Sequence, residues 1–252
     1  MFRKQLHLFL TALMFYTRIP VRMKNCSDDD LNRSTRYFPL VGLLVGAVGA
    51  LVVWGATRVL PLPIGVILSL AATILLTGAF HEDGFADFCD GFGGGYTREK
   101  ILSIMKDSRI GTFGAAGLIL MLLLKIFTLS SVNPEQILWL IVAAHGLSRV
   151  MPVVVIFTSS YVRDDESSRM KPVGKKGTPS DFILAVFWGL LPLLFAPVAF
   201  TIAIVPVLLI AAALFRLYIV RKIGGYTGDC LGALQQISEV IIFLGFLVFE
   251  RL

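Results

Sequence analysis

The chain is short of charge and short of cysteine. Asp, Glu, Lys and Arg make up only 16% of its 252 residues, against about 25% in an ordinary soluble domain. So little charge argues against a disordered chain and against a water-soluble globule. The net charge of +6 comes from no basic run interleaved with base-stacking aromatics, so it does not indicate nucleic acid as a partner. Cys26, Cys89 and Cys230 are odd in number and form no CxxC pair, which argues against a disulfide framework and a structural zinc site. The sequence also lacks an internal repeat, a low-complexity tract or a dividing linker, so residues 1–252 read as a single membrane-embedded domain.

Apolar residues fill the space: 56% of the chain is hydrophobic and the mean hydropathy is +0.79. These values indicate an all-α, polytopic integral membrane protein. A bilayer core needs about 20 apolar residues in helical form, and about seven stretches qualify. They are 37–60, 62–80, 110–131, 136–158, two halves of the run 182–220 split near Pro197, and 232–249. The first holds Gly42-x-x-x-Gly46, a spacing that permits close helix approach. The N-terminal segment resembles a secretory signal but has no small-x-small cleavage site. It is expected to stay as an interfacial helix with Leu6, Phe9, Leu10, Leu13 and Met14 on one face. Residues 1–36 hold seven Lys and Arg, 81–109 four and 161–181 five. Seven spans with a cytoplasmic N-terminus put all these loops, and the polar chemistry, on the cytoplasmic side.

The segment HEDGFADFCDGFGGGYTREK (81–100) carries the densest chemistry. Asp83, Asp87 and Asp90 fall at i, i+4 and i+7, one face of a helix. Three such carboxylates repel one another unless a cation intervenes, and hard oxygen ligands suit Mg²⁺ or Mn²⁺, with substrate phosphates completing the shell. Gly84, Gly91 and Gly93-Gly94-Gly95 leave backbone bare for a phosphate or a tight turn. Glu82 lies off the shared face, His81 positions a substrate or sits at the interface, and Cys89 reads as packing.

Downstream, MKDSRIGTFG (105–114) offers Lys106 and Arg109 as positive charge opposite the aspartates. Asp107 adds a ligand or a cap, and Ser108 touches substrate or caps the next helix. In GGYTGDCLGALQQISE (224–239), Thr227 and Asp229 stand among glycines just before the last span. Glu239 lies inside that span, and Arg149 lies midway through the fourth, one turn after His145. Such residues face a cavity or form a buried pair with each other. Lys125 lies nearer a span end, where it can snorkel.

The stretch EDGFADFCDGFGGG resembles the signature of cobalamin synthase, the adenosylcobinamide-GDP ribazoletransferase family. RYFPLVGLLVG (36–46), IMKDSRIGTFG (104–114) and GGYTGDCLGA (224–233) resemble further segments of that family in the same order. The connection 161–181 matches only loosely, around Tyr161 and Arg163. The resemblance implies transfer of GDP-activated adenosylcobinamide to α-ribazole, or its 5′-phosphate, with release of GMP. It also implies Mg²⁺ and a place in the bacterial inner membrane. A homo-oligomer is compatible with the sequence.

For that chemistry, Asp83, Asp87 and Asp90 would hold Mg²⁺, with Asp229 completing the shell. Lys106 and Arg109 would neutralise non-bridging oxygens. Asp87 or Asp90 would be the base. His81, Gly84, Gly91, Gly94, Ser108, Arg149, Thr227 and Glu239 would line the substrate site. Two other classes share some features. A CDP-alcohol phosphotransferase opens with Asp-Gly-x-x-Ala and a longer spacing to paired aspartates, whereas here Asp83-Gly84-Phe85-Ala86 is followed directly by Asp87 and Asp90. A transporter would place its charges at the midplane.

Overall fold

The computed structural model describes residues 2–21, 23, 26–163 and 177–252. Arg22, Lys24 and the basic residues Arg169, Lys171, Lys175 and Lys176, counted above toward orientation, lie outside the described residues. Within the described residues the structure is helical, with one isolated parallel bridge between Tyr161 and Tyr226.

The chain opens with α1 (Phe2–Tyr16) and α2 (Asp28–Ser34). A capping box starts α2: the Ser27 hydroxyl accepts from the Asp30 N–H, and the Asp30 carboxylate accepts from the Ser27 N–H. A 3₁₀ turn over Thr35–Tyr37 leads into α3 (Phe38–Ala56), which has Pro39 in its first turn. Then come α4 (Leu62–Thr77), α5 (Phe80–Gly94), α6 (Arg98–Ile104), α7 (Thr112–Ser131), α8 (Pro134–Ser148) and α9 (Val150–Thr158). The chain ends with α10 (Pro179–Leu190), α11 (Val198–Ile223) and α12 (Gly228–Phe249). Pro152 has no N–H to give the helix that precedes it, and α8 yields to α9 at Arg149.

Five helical segments are long and apolar enough to cross a bilayer: Asp28–Ala56, Thr112–Ser131, Pro134–Thr158, Val198–Ile223 and Gly228–Phe249. A sixth arises only if α4 and α5 count together, and they are bent by 91°. Pro179–Phe195 is a further, shorter apolar helix, so the described residues hold five or six full-length candidates and one short one against the about seven expected. The division near Pro197 is observed, since α11 starts at Val198. The half before it is short, because Pro192 turns the end of α10 into a 3₁₀ segment finishing at Phe195.

The bundle has a centre and a rim. The most hydropathic stretch of α8–α9 is 83% buried, whereas those of α7 and α11 are 28% and 22% buried. The exposed Ile119, Leu120 and Phe127 of α7, and Ile202, Ile210 and Leu214 of α11, form faces suited to lipid. The centre is tight because α3 meets α8 through small residues. A Cβ on Gly42 would run into the His145 carbonyl, and one on Gly46 would stand 2.8 Å from the Val142 Cα. The close approach expected from Gly42-x-x-x-Gly46 is thus present.

α1 buries a different face from the one expected. Leu8, Ala12, Leu13 and Tyr16 pack in a cluster with Phe38, Val41, Val45, Val153 and Ala185, while Leu6 is exposed. The helix is seated against the bundle, so protein packing sets its buried face, which shares only Leu13 with the face expected of an interfacial helix.

Candidate functional site

The site begins where α4 stops. Gly78 and Ala79 both take left-handed backbone conformations, with φ of 68° and 58°. Glycine adopts this freely, whereas for alanine it costs about 1–2 kcal/mol. The turn is held by the Ala79 N–H on the Ile74 carbonyl (2.8 Å) and by the Arg18 N–H on the Leu76 carbonyl (2.7 Å). It sends α5 off the axis of α4. With Glu82, Asp83, Asp87 and Asp90 along its fifteen residues, α5 is too acidic to be a spanning segment.

α5 packs on the start of α12 through two glycines. A Cβ on Gly84 would stand 3.0 Å from the Asp229 Cα, and one on Gly232 would stand 3.2 Å from the His81 carbonyl oxygen. This contact brings Asp229 close to Asp83 and Asp87. The bare face of Gly84 is thus occupied by α12 and is not open to a phosphate. Thr227 caps α12, its buried hydroxyl accepting from the Cys230 N–H at 3.3 Å. Thr227, expected to line the substrate site, is thus also a helix cap. Asp229 accepts a hydrogen bond from Arg163 Nη2 at 2.8 Å, and the same nitrogen donates to the Met105 carbonyl at 3.0 Å.

The three aspartates of α5 do not act alike. Asp83 is exposed and Asp87 half-buried, whereas Asp90 is buried. Both oxygens of Asp90 accept backbone N–H groups at the start of α7, from Gly111 at 2.7 Å and Gly114 at 2.8 Å. Asp90 therefore caps a helix and ties α5 to α7, a part not foreseen beside the metal and base roles expected for it. Gly111 and Gly114 are needed there because a Cβ on either would strike the Asp90 carboxylate. Asp87 lacks such donors. Burial first, then the neighbouring charges of Asp229 and Asp83, push its carboxyl up to about 7.

Among the described residues no three acidic, histidine or cysteine side chains converge closely enough to cage a metal unaided. Mg²⁺ does not need such a cage: it usually takes one or two carboxylates and completes its shell with water and substrate phosphates. Asp87, flanked by Asp83 and Asp229, supplies hard oxygens and an excess of negative charge. The donor set fits a divalent cation that arrives with a phosphate ligand.

The other expected residues are distributed as follows. Arg109 is 86% exposed and pairs with Asp107, Nη2 to Oδ2 at 2.7 Å. Its hydrogen bonds hold the Asp107 carboxyl down to about 2. Lys106 and Ser108 are exposed, and Ser108 does not cap α7, whose N-cap is Gly111. The bare face of Gly91 is filled by Met105 and the Ile101 carbonyl, so it serves the packing of α6. Gly94 is exposed, and a Cβ there would meet only Ile104, at 3.5 Å.

Arg149 and Glu239 are both buried, but they do not form a direct pair. Glu239 is bonded to Lys125 Nζ at 2.8 Å, to Gln235 Nε2 at 2.6 Å and to His145 Nδ1 at 3.3 Å. Arg149 Nη1 donates to the His145 carbonyl at 2.6 Å. Lys125 also donates to Gln236 Oε1, and Gln236 Nε2 donates to Glu82 Oε1 at 3.0 Å. Lys125 is thus buried rather than snorkelling. The network runs from the membrane core to α5, where His81 lies buried and stacked on Phe38 at 5.7 Å. The sequence reading placed Lys125 at a span end and missed Gln235 and Gln236. The signal was there, since Gln235 stands one helical turn before Glu239 inside a span.

Comparison with known proteins gives a consistent result. The model of the family described as cobalamin-5-phosphate synthase matches residues 8–247. An adenosylcobinamide-GDP ribazoletransferase of Shewanella sp. (strain W3-18-1) is 45% identical over 252 residues, covering 97% of this chain and 95% of the relative. That of Shewanella frigidimarina (strain NCIMB 400) is 45% identical over 245 residues, covering 96% and 94%. That of Shewanella amazonensis (strain ATCC BAA-1098 / SB2B) is 44% identical over 248 residues, covering 96% and 95%. No solved structure matches.

Proposed function

The chain belongs to the cobalamin-5-phosphate synthase family, and from this premise we propose how its residues carry out the reaction of an adenosylcobinamide-GDP ribazoletransferase. The reaction joins GDP-activated adenosylcobinamide to α-ribazole or its 5′-phosphate and releases GMP. The observation that carries the assignment to this site is the meeting of Asp83 and Asp87 on α5 with Asp229 on α12, through the Gly84–Gly232 contact.

The attack on a diphosphate calls for charge neutralisation and alignment more than for covalent help. A Mg²⁺ ion bound by Asp87 with Asp83 or Asp229 would supply that neutralisation. An Asp87 oxygen left free by the cation would serve as the base for the ribose hydroxyl proton. Asp90 holds the start of α7 against α5 and so keeps Asp87 in register. Gln236 holds Glu82 at the inner edge of the site. Lys106 and Arg109, exposed beside the site, meet the incoming phosphates at its outer edge.

The protein lies in the bacterial inner membrane with this site toward the cytoplasm, a reading supported by the Lys and Arg of the N-terminal segment and of residues 81–109. Cys26 is exposed near the start of α2. An impermeant thiol reagent should label it in inverted vesicles and not in intact cells, and the reverse pattern overturns the orientation.

The deciding experiment incubates the purified protein with GDP-activated adenosylcobinamide, α-ribazole and Mg²⁺. GMP and a joined corrinoid product should appear together. A lipid synthase of the CDP-alcohol type would instead consume a CDP-linked substrate, and a transporter would yield no GMP.

A further inference from the structure

The acidic site holds a cation of its own. Arg163 reaches it from the strand-like segment after α9, and that segment is fixed. The Val162 N–H donates to the Tyr226 carbonyl at 3.1 Å, and the Tyr226 N–H donates to the Ser160 carbonyl at 3.0 Å. The Tyr161 and Tyr226 rings meet edge to face, with centroids 5.7 Å apart. Gly225 makes the pairing possible, because a Cβ there would strike the Ser160 carbonyl. The same short bridge that sets Arg163 therefore also sets Thr227 and Asp229, two and four residues beyond Gly225.

The guanidinium uses only part of its hydrogen-bonding capacity. Nη2 serves both Asp229 and the Met105 carbonyl, while Nε is buried and has no partner among the described residues. A buried N–H with nothing to bond is costly. A guanidinium presents its donors as a planar fork that matches phosphate oxygens two at a time. Next to it lies a carboxylate cluster whose own negative charge would repel a diphosphate. Lys106 and Arg109 stand farther out in solvent, and Arg109 is committed to Asp107.

We propose that Arg163 is a diphosphate-binding residue of this site, parked on Asp229 while the site is empty and turned onto non-bridging phosphate oxygens when a divalent cation and substrate arrive. Asp229 is thereby released to the cation at the moment the diphosphate needs the guanidinium. The proposal rests on the ribazoletransferase reading for the identity of the diphosphate, and on the geometry alone for the residue. The basic character expected of the 161–181 connection thus enters the site through its first basic residue.

The test is binding of GDP with Mg²⁺ to the full-length protein in detergent, measured by calorimetry, beside GMP release in turnover. Arg163→Ala should weaken Mg–GDP binding about tenfold or more, the range for a charge-assisted hydrogen bond, and raise KM for the GDP-activated corrinoid. Arg163→Lys keeps the charge without the fork and should fall between the two. Added guanidinium in the millimolar range should restore part of the binding to Arg163→Ala, which a role in packing alone would not permit. Arg58→Ala is the control, since Arg58 stacks on Trp54 away from the site at 4.8 Å. If Arg163→Ala does not fold, Arg163→Lys decides.

Mg–GDP binding within about twofold of the unsubstituted protein in the deciding variant overturns the proposal. So does an absence of Mg–GDP binding by the unsubstituted protein. If binding depends on Arg163 but no GMP forms with α-ribazole as acceptor, the ribazoletransferase reading fails and the assignment of Arg163 stands.

Discussion

Asp87 and Asp90 are three residues apart on one helix and have opposite surroundings. Asp90 receives two backbone N–H groups, and Asp87 faces other carboxylates. Replacing either with Asn keeps the shape and removes the charge, so the two variants separate chemistry from capping. Asp87→Asn should cut GMP release by about 10²–10³, the usual cost of removing one major electrostatic group, with the protein extracted from membranes in normal yield. Asp90→Asn should lower stability in detergent by about 1–3 kcal/mol, and the Mg²⁺ concentration for half-maximal activity should stay as it was. Equal losses of rate with unchanged melting in both would return Asp90 to the metal site.

The raised proton affinity of Asp87 has a sign that can be checked. Its folded value of about 7 lies above the ordinary 3.8, so the folded chain binds this proton more tightly than the unfolded chain. In metal-free protein the resulting stabilisation is complete below about pH 4 and is lost as pH rises to about 7. Mg²⁺ competes for the same oxygen, so its affinity should climb through that window. Thermal melting with and without Mg²⁺ at several pH values between about 5 and 8 measures both effects, and a Mg²⁺ shift independent of pH would rule Asp87 out as a ligand.

At the scale of helices, the site depends on how closely α5 can lie on α12. Gly84 sits against the Asp229 backbone, which cannot yield as a side-chain tip can, whereas a Cβ on Gly94 would make only an ordinary contact with Ile104. Alanine is the better helix former by about 1 kcal/mol, so propensity alone would favour both substitutions. Gly84→Ala should instead lose most GMP release, because α12 is pushed back and Asp229 with it. Gly94→Ala should retain activity and melt no lower. Similar behaviour of the two variants in a paired assay would mean that this contact does not set the site. From sequence these glycines looked equivalent, all of them bare backbone beside acidic residues. Gly84 meets α12 far along the chain, Gly91 meets the nearby α6, and Gly94 is exposed, which only the packing of the helices decides.

Across the whole molecule, a buried ionic network joins α7, α8 and α12 and reaches α5. Lys125 and Glu239 are 2% and 1% exposed. Removing one partner of such a pair leaves the other charge uncompensated and costs about 3–5 kcal/mol. Lys125→Met or Glu239→Gln should therefore lower the melting temperature in detergent sharply, and the double variant should be less impaired than the sum of the two. Additive losses would show that the contact is not what holds the helices. The sequence alone determined the membrane class, the Pro197 break and a glycine pair in α3 that permits close helix approach, and it singled out the acidic α5 segment. These follow from composition, local hydropathy and backbone rules, which act over one or two helical turns. It could not determine the number of full spans, since the 91° bend arises from two left-handed residues, one of them the alanine at position 79. Only the tertiary structure decided that Asp90 caps α7, that Lys125 rather than Arg149 pairs with Glu239, and that Arg163 enters the acidic site. In each case partners distant in the chain compete for one buried charge, and the winner is set by which helices approach closely enough to exclude water.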